Sequence, residues 1–307
     1  MLEQRSPHTQ RLADVSDAVT RQFVGCDLEH GEVLGELDPL LEVENEPVRG
    51  LVHKYPNRVL CLLTAECASY CRFCTRQRMV SDIERGRITN ADIDRWRDYL
   101  VSRPGVSEVI ISGGDPLVAP VELLAYALRT LCALPTINVV RIGTRVVVSE
   151  PSLLTDDKLD LIRETRQPVY MGINFEHPDE LTAPTLEAVA KLRKTGAILY
   201  SQTVFLKDVN DDYDTLFSLF TGLVEVGVRP YYIYRCDPVA GVDRFRVDFK
   251  KERDIMTKLR KNLSGLACPT YVIDTPFGSG KVPVPLGFWD ADLERYSDFQ
   301  GEQHEVI

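Results

Sequence analysis

The sequence contains no run near the ~20 consecutive apolar residues that a membrane-spanning helix requires, so no membrane partner is expected. Residues 1–19 hold no apolar core of the kind that marks a secretory leader, and the expected location is cytoplasmic. Positive charge is in deficit: 36 Lys+Arg face 46 Asp+Glu, a formal charge of −10 at pH 7. Binding nucleic acid depends on a basic face that neutralises phosphate, so nucleic acid is not an expected partner either. There is no second CxxC pair to complete a four-thiolate zinc site. A phosphate-cradling loop around Lys281 is also excluded, because Thr275 and Val282 stand where it needs Gly and Ser or Thr.

What the 307 residues do contain is an ordinary globular balance, 44% hydrophobic and 27% charged. That length permits one large α/β barrel or two smaller domains. Residues 1–58 show no repeat and read as a helical or irregular N-terminal arm. From there short β-branched or apolar runs alternate with segments of helical period, the mark of βα units around a parallel sheet. The expected strands are Val59–Leu63, Glu108–Ser112, Asn138–Gly143, Val169–Phe175, Ile198–Leu206, Pro230–Cys236 and Thr270–Asp274. Between them fall expected helices at Ala91–Ser102, Val121–Leu134, Leu153–Thr165, Thr185–Thr195, Tyr213–Val226 and Phe249–Leu263. Thr89-Asn90 reads as a helix cap, and Gly196 and Gly227 sit where helices should end. A single partial or complete (β/α) barrel is the simplest architecture, and its active site lies past the C-terminal ends of the strands. The chemically unusual residues of this chain fall at those ends.

Eight cysteines in a reducing compartment are not expected to form structural disulfides. Cys26, Cys61, Cys132, Cys236 and Cys268 are scattered and read as small buried hydrophobes. Cys67, Cys71 and Cys74 cluster on the loop after the first expected strand. Ferredoxin-type clusters need a fourth cysteine, whereas three thiolates leave one iron of a [4Fe–4S] cluster open. This Cys-x-x-x-Cys-x-x-Cys spacing resembles that of the radical S-adenosylmethionine (SAM) superfamily, whose open iron chelates SAM. The resemblance implies that Phe73 lies against the adenine of SAM. Ser112-Gly113-Gly114-Asp115 on its own is a turn; after the second strand of such a barrel it resembles the segment that contacts the SAM amino group.

Longer stretches narrow the resemblance. His53 to Leu60, Cys67 to Arg76, Pro230 to Asp237 and Asp274 to Lys281 are together similar to the lysine 2,3-aminomutase family, in the same order over most of the chain. That family implies a partial radical-SAM (β/α) barrel over 59–276. A short arm, 1–58, would contribute to a pyridoxal 5′-phosphate (PLP) site, and a lysine loop and tail would occupy 277–307. It implies that Lys281, by itself readable as an exposed loop lysine, holds PLP covalently. Lys54 and Arg58 match basic positions near the PLP phosphate, Tyr55 a tyrosine at the cofactor ring, and Gln202 a cofactor-side glutamine. Arg76 matches the arginine that grips the substrate carboxylate, a task suited to a planar bidentate fork. Asp237 and Asp274 match the acidic pair that lysine-specific members use for the distal ammonium and glutamate-specific members lack.

The implied reaction shifts the α-amino group of L-lysine to its β-carbon, with the cluster, SAM and PLP as cofactors and a flavodoxin- or ferredoxin-type reductant. Arginine in place of lysine, or a desaturase on the same cofactors, are the alternatives, and a non-catalytic iron–sulfur carrier is the reading from another class. Two departures stand out. Only 26 residues follow Lys281 and none is cysteine, so the zinc site that joins subunits in larger family members is not expected here, although a homo-oligomer is still open. Asn174 also stands where the family tends to place a histidine near PLP.

Overall fold

The structure, a computed structural model, describes residues 12, 15–25, 35–80, 82–84, 86–275 and 280–306. Cys26 and the Pro276–Ser279 turn, both singled out from the sequence, lie outside the described residues. Helices α1 (Asp17–Arg21) and α2 (Gln77–Val80) are short. The longer ones are α3 (Asn90–Val101), α4 (Val121–Cys132), α6 (Asp156–Glu164), α7 (Ala183–Lys194), α8 (Tyr213–Glu225) and α9 (Phe249–Asn262), with a single turn, α5 (Val146–Ser149), after β4. The strands are β1 (Leu51–Tyr55), β2 (Arg58–Thr64), β3 (Glu108–Gly113), β4 (Val139–Thr144), β5 (Val169–Asn174), β6 (Ile198–Val204), β7 (Arg229–Tyr234), β8 (Thr270–Asp274), β9 (Lys281–Pro283), β10 (Arg295–Ser297) and β11 (Gln303–Glu305).

Strands β1 to β9 form one sheet in sequence order. Pairs from β2 to β8 are parallel, while β1 and β9 are antiparallel at its two edges. The barrel is therefore partial, as expected, with helices between successive parallel strands. No helix among the described residues is long and apolar enough to cross a membrane.

Strand alternation explains how the sheet serves a cavity. Side chains one residue apart point to opposite faces. In β3, Val109 and Ile111 are wholly buried in the core, whereas Glu108, Ile110 and Ser112 line the hollow of the sheet. In β4, Val140 and Ile142 pack outward while Val139, Arg141 and Gly143 face the hollow. Buried Ile93, Trp96, Leu124, Leu128, Leu192 and Phe220 bring their helices into the same hydrophobic core. α3 opens on a capping box in which Thr89 and Asp92 exchange hydrogen bonds, and Gly196 and Gly227 end α7 and α8 at φ +86° and +82°.

The structure corrects several boundaries. The N-terminal arm is not wholly helical or irregular: Leu51–Tyr55 is an edge strand paired with β2, so the sheet starts before residue 59. β9 also belongs to the sheet, and β10 with β11 forms a separate hairpin. The helix expected over Leu153–Thr165 breaks into a 3₁₀ turn at Pro151–Leu153 and α6, because Thr155 is extended (ψ 160°) as the cap of α6. Strand β6 stops at Val204 because the next turn is closed by a side chain: Leu206 N donates to Asn210 Oδ1 at 2.8 Å.

Trp96 is fully buried and its indole N–H donates to Arg49 O at 2.6 Å, fastening the lead-in to β1 onto α3. Trp96→Ala is expected to lower the unfolding free energy by about 3–5 kcal/mol, read from urea denaturation followed by far-UV circular dichroism.

Candidate active site

All the residues singled out above as candidate site residues line one cavity of about 820 Å³ inside the sheet, from Lys54 on β1 to Lys281 on β9. They arrive from separate strand ends, as the barrel geometry requires.

The cysteine loop follows β2 and is pinned to the loop after β3 by backbone contacts. Gly114 N donates to Thr64 O at 2.7 Å and Asp115 N to Glu66 O at 2.8 Å. A Cβ at Gly114 would lie 2.2 Å from Glu66 O, and one at Gly113, whose φ is +134°, 2.2 Å from Thr64 O. Glycine is thus needed here so that the two loops can touch. The Asp115 carboxylate is buried and surrounded by donors: Thr144 Oγ1 and the backbone N–H groups of Leu117, Arg145 and Val146. Its side chain ties β3 to the β4–α5 turn rather than projecting a free oxygen, and burial pushes its carboxyl above the usual range.

Around this frame the three Cys Sγ atoms face the cavity, and they do not all lie within 4.8 Å of one another. A single tetrahedral zinc at ~2.3 Å from each sulfur needs them closer than that; a multi-iron cluster does not. Burial pushes all three thiols up, Cys71 to about 11. A nearby positive charge, such as a bound metal supplies, favours their thiolates. Arg145, 5% exposed, donates Nη1 to Cys71 Sγ at 2.7 Å and Nη2 to Glu180 Oε1 at 2.8 Å. Phe73 packs edge-on against Phe245 and lies beneath the same guanidinium, whose Cζ is 5.5 Å from its ring.

At the other wall, antiparallel pairing sets Asp274 opposite Lys281, and Lys281 Nζ reaches Asp274 Oδ2 at 2.5 Å. The amine thus points at a buried carboxylate, and its side chain is only 30% exposed. Asp274 Oδ1 is buried without a hydrogen-bond partner. Burial, then the neighbouring Asp274, pushes Asp237 up to about 7, against the pull of Lys281 and Lys54. Lys54 is pushed down by burial and donates to Leu40 O at 2.8 Å. The Arg58 guanidinium lies 3.6 Å over the Tyr55 ring, whose hydroxyl is buried and unpartnered. Gln202 Nε2 meets Tyr234 Oη at 3.2 Å, and Asn174 lines the cavity beside Glu176, whose carboxyl burial pushes up to about 8.

Sequence reasoning missed two participants. Arg145 was only a residue past a strand end, with nothing to mark its contact with Cys71. Glu42, in the N-terminal arm, holds Arg76 by one edge: Nε lies 3.0 Å from both carboxylate oxygens and Nη2 2.8 Å from Oε1. Arg76, expected to face a ligand carboxylate, already carries one from its own chain on one edge.

Comparisons with known proteins bear on the family and the fold. A family model described as "Radical SAM superfamily" matches residues 62–219. The chain is 38% identical over 283 residues to an L-lysine 2,3-aminomutase from Acetoanaerobium sticklandii, covering 91% of this chain and 68% of that protein. It is 32% identical over 271 residues to a glutamate 2,3-aminomutase from Clostridioides difficile, covering 88% of this chain and 64% of that one. Among solved structures, a radical SAM methyltransferase from Sphaerobacter thermophilus superposes with a TM-score of 0.51 at 16% identity over 73% of this chain and 68% of the other, a likeness of fold alone.

Asp237 makes the site pH-sensitive. The folded protein keeps its proton up to about pH 7, the unfolded chain only to about 3.8. Between those values the folded state binds more protons, so this residue's contribution to stability falls as pH rises and is fully unfavourable above pH 7. The unliganded Asp237→Asn variant is expected to match the wild type near pH 4 and exceed it by up to ~4 kcal/mol at pH 8, in urea titrations at the two pH values.

Proposed function

The chain belongs to the radical SAM superfamily and, within it, to the lysine 2,3-aminomutase family, and on that footing we propose that it moves the α-amino group of L-lysine to the β-carbon. The observation that carries this reading is the shared cavity, in which the cysteine trio, the Lys281 amine and the Asp237/Asp274 carboxylates meet. Two orphaned polar atoms, the buried Tyr55 hydroxyl and one Asp274 oxygen, support the fit of the cofactors, beside three thiols too spread for one zinc. When bound, the cluster with SAM supplies a carbon radical that abstracts hydrogen, and PLP supplies the carbonyl through which nitrogen migrates.

Each side chain then has a physical task. Cys67, Cys71 and Cys74 hold three irons, and Arg145 fixes the Cys71 sulfur by its N–H. Phe73 and the Ser112 to Asp115 segment flank the SAM position. Lys281 presents its amine to the PLP aldehyde, Lys54 and Arg58 offer positive charge to the phosphate, Tyr55 offers its ring and hydroxyl, and Gln202 an amide. Arg76 orients the substrate carboxylate. Asp237 and Asp274 take the distal ammonium: at ~4 Å and an effective dielectric of ~20 each carboxylate contributes about 4 kcal/mol before desolvation. The substrate ammonium would meet Asp237 and the Asp274 oxygen that Lys281 leaves unpartnered. Burying the reacting atoms in a walled hollow keeps water from the radical. The reading calls for a one-electron donor of flavodoxin or ferredoxin type and a cytosolic setting, and it is compatible with a homo-oligomer.

The test is anaerobic incubation of the reconstituted enzyme with SAM, PLP, reductant and either L-lysine, L-arginine or L-glutamate, followed by mass spectrometry. An isomer of lysine at unchanged mass is expected, with Lys281→Ala at least about 10³-fold slower. A product two hydrogens lighter, or preferred conversion of glutamate, would sink the assignment.

A further inference from the structure

Glu42 lies far from the cysteine loop in sequence, yet it makes the densest contact with Arg76. Its residue is 5% exposed, and its carboxylate fills the side-on edge of the guanidinium, Nε and one N–H of Nη2. A guanidinium carries five N–H groups in a planar fork. The end-on edge, formed by Nη1 and the second N–H of Nη2, is therefore left, and its only contact among the described residues is Nη1 to Ser112 Oγ at 3.4 Å. Arg76 and Ser112 both line the cavity.

The turn that presents Glu42 is held on both sides. Glu42 N donates to Asp38 Oδ1 at 3.1 Å, and the same aspartate accepts from Val43 N at 2.9 Å and pairs with Arg78 at 3.0 Å. Leu41, immediately before it, sits at φ +50°, a left-handed conformation that a residue with a Cβ adopts only when its surroundings impose it. The chain accepts an unfavourable backbone in order to aim this carboxylate.

We propose that Glu42 is a positioning residue: by occupying the side-on edge of Arg76 it sets the roll of the guanidinium so that the end-on edge faces the cavity and receives the substrate carboxylate. This rests on the reading of Arg76 as the carboxylate clamp. Glu42 leaves that pair of N–H groups aligned with a second carboxylate, in the parallel two-bond geometry that makes arginine selective for planar anions.

Isothermal titration of the cluster- and PLP-loaded protein, without SAM or reductant, separates the possibilities by using L-lysine and cadaverine, the same diamine chain without a carboxylate. For Glu42→Gln the dissociation constant of L-lysine is expected to rise about tenfold, as for loss of one charge-assisted contact, and that of cadaverine by less than about twofold. In turnover the same variant should raise KM for L-lysine while kcat stays within about threefold. Equal losses for both ligands would mean a merely structural role and overturn the proposal. Unchanged binding overturns it too, and so does tighter lysine binding, which would mean that Glu42 competes with the substrate. Arg76→Gln is the control. If it weakens L-lysine no more than cadaverine, the carboxylate-clamp reading itself fails and takes the proposal with it. Selective loss in Arg76→Gln without selective loss in Glu42→Gln rejects Glu42 alone.

Discussion

A buried carboxylate beside a second carboxylate needs a cation, and in this protein the register of one short strand supplies it. β9 turns back along β8 so that Lys281 falls directly opposite Asp274, and directly opposed side chains on one face of a pair are close enough to interact. The amine neutralises one oxygen, the other stays unpartnered, and Asp237 responds by holding a proton to about pH 7. Even with Lys54 nearby the balance is incomplete, since one Asp274 oxygen has no partner and Asp237 is still pushed up. An added ammonium completes it by favouring ionised Asp237, so a cationic side chain and the loss of that proton are thermodynamically linked.

The opposite wall is governed by a different constraint, the approach of two backbones. Gly113 and Gly114 let the loop after β3 touch the cysteine loop, and Asp115 locks that junction to the start of α5. Burial pushes the thiols this frame presents up, so the loop is preorganised in shape more than in charge. On the proposed reading an iron cluster would provide the charge while the protein provides the positions.

Much of this was legible in the sequence because both signals are local. Strands β2 to β8 announce themselves by apolar runs set between helical periods, and the rim residues follow from their strand ends. The strand β1 was hidden because His53, Lys54 and Tyr55 are polar enough to read as a motif rather than as a strand, and β9 because three residues ending in Pro283 carry no pattern. Long-range pairings left no trace at all. Glu42 and Arg76 are 34 residues apart, and Arg145 is 74 residues from Cys71. Neither distance corresponds to any helical or strand period, so only the closed sheet edges and loops reveal which charges meet. Asp115 shows the complementary limit: the sequence resemblance concerns the backbone of its segment, and only the structure shows its carboxylate taken up by the scaffold.

The two charged ends of the cavity are each satisfied from within, by Lys281 on Asp274 and by Glu42 on Arg76, yet the two pairs are not equivalent. Lys281 meets Asp274 through a single amine on a flexible stem, from a strand at the edge of the sheet. Glu42 is held by a capped turn and grips the face of the guanidinium that a second carboxylate does not need. On the proposed reading the first pair leaves one Asp274 oxygen open for a second ammonium, and the second is a fixture that the amino acid uses. The asymmetry follows from donor geometry. An ammonium is a point charge that any other ammonium can replace, whereas a guanidinium has two distinct edges and can serve two carboxylates at once.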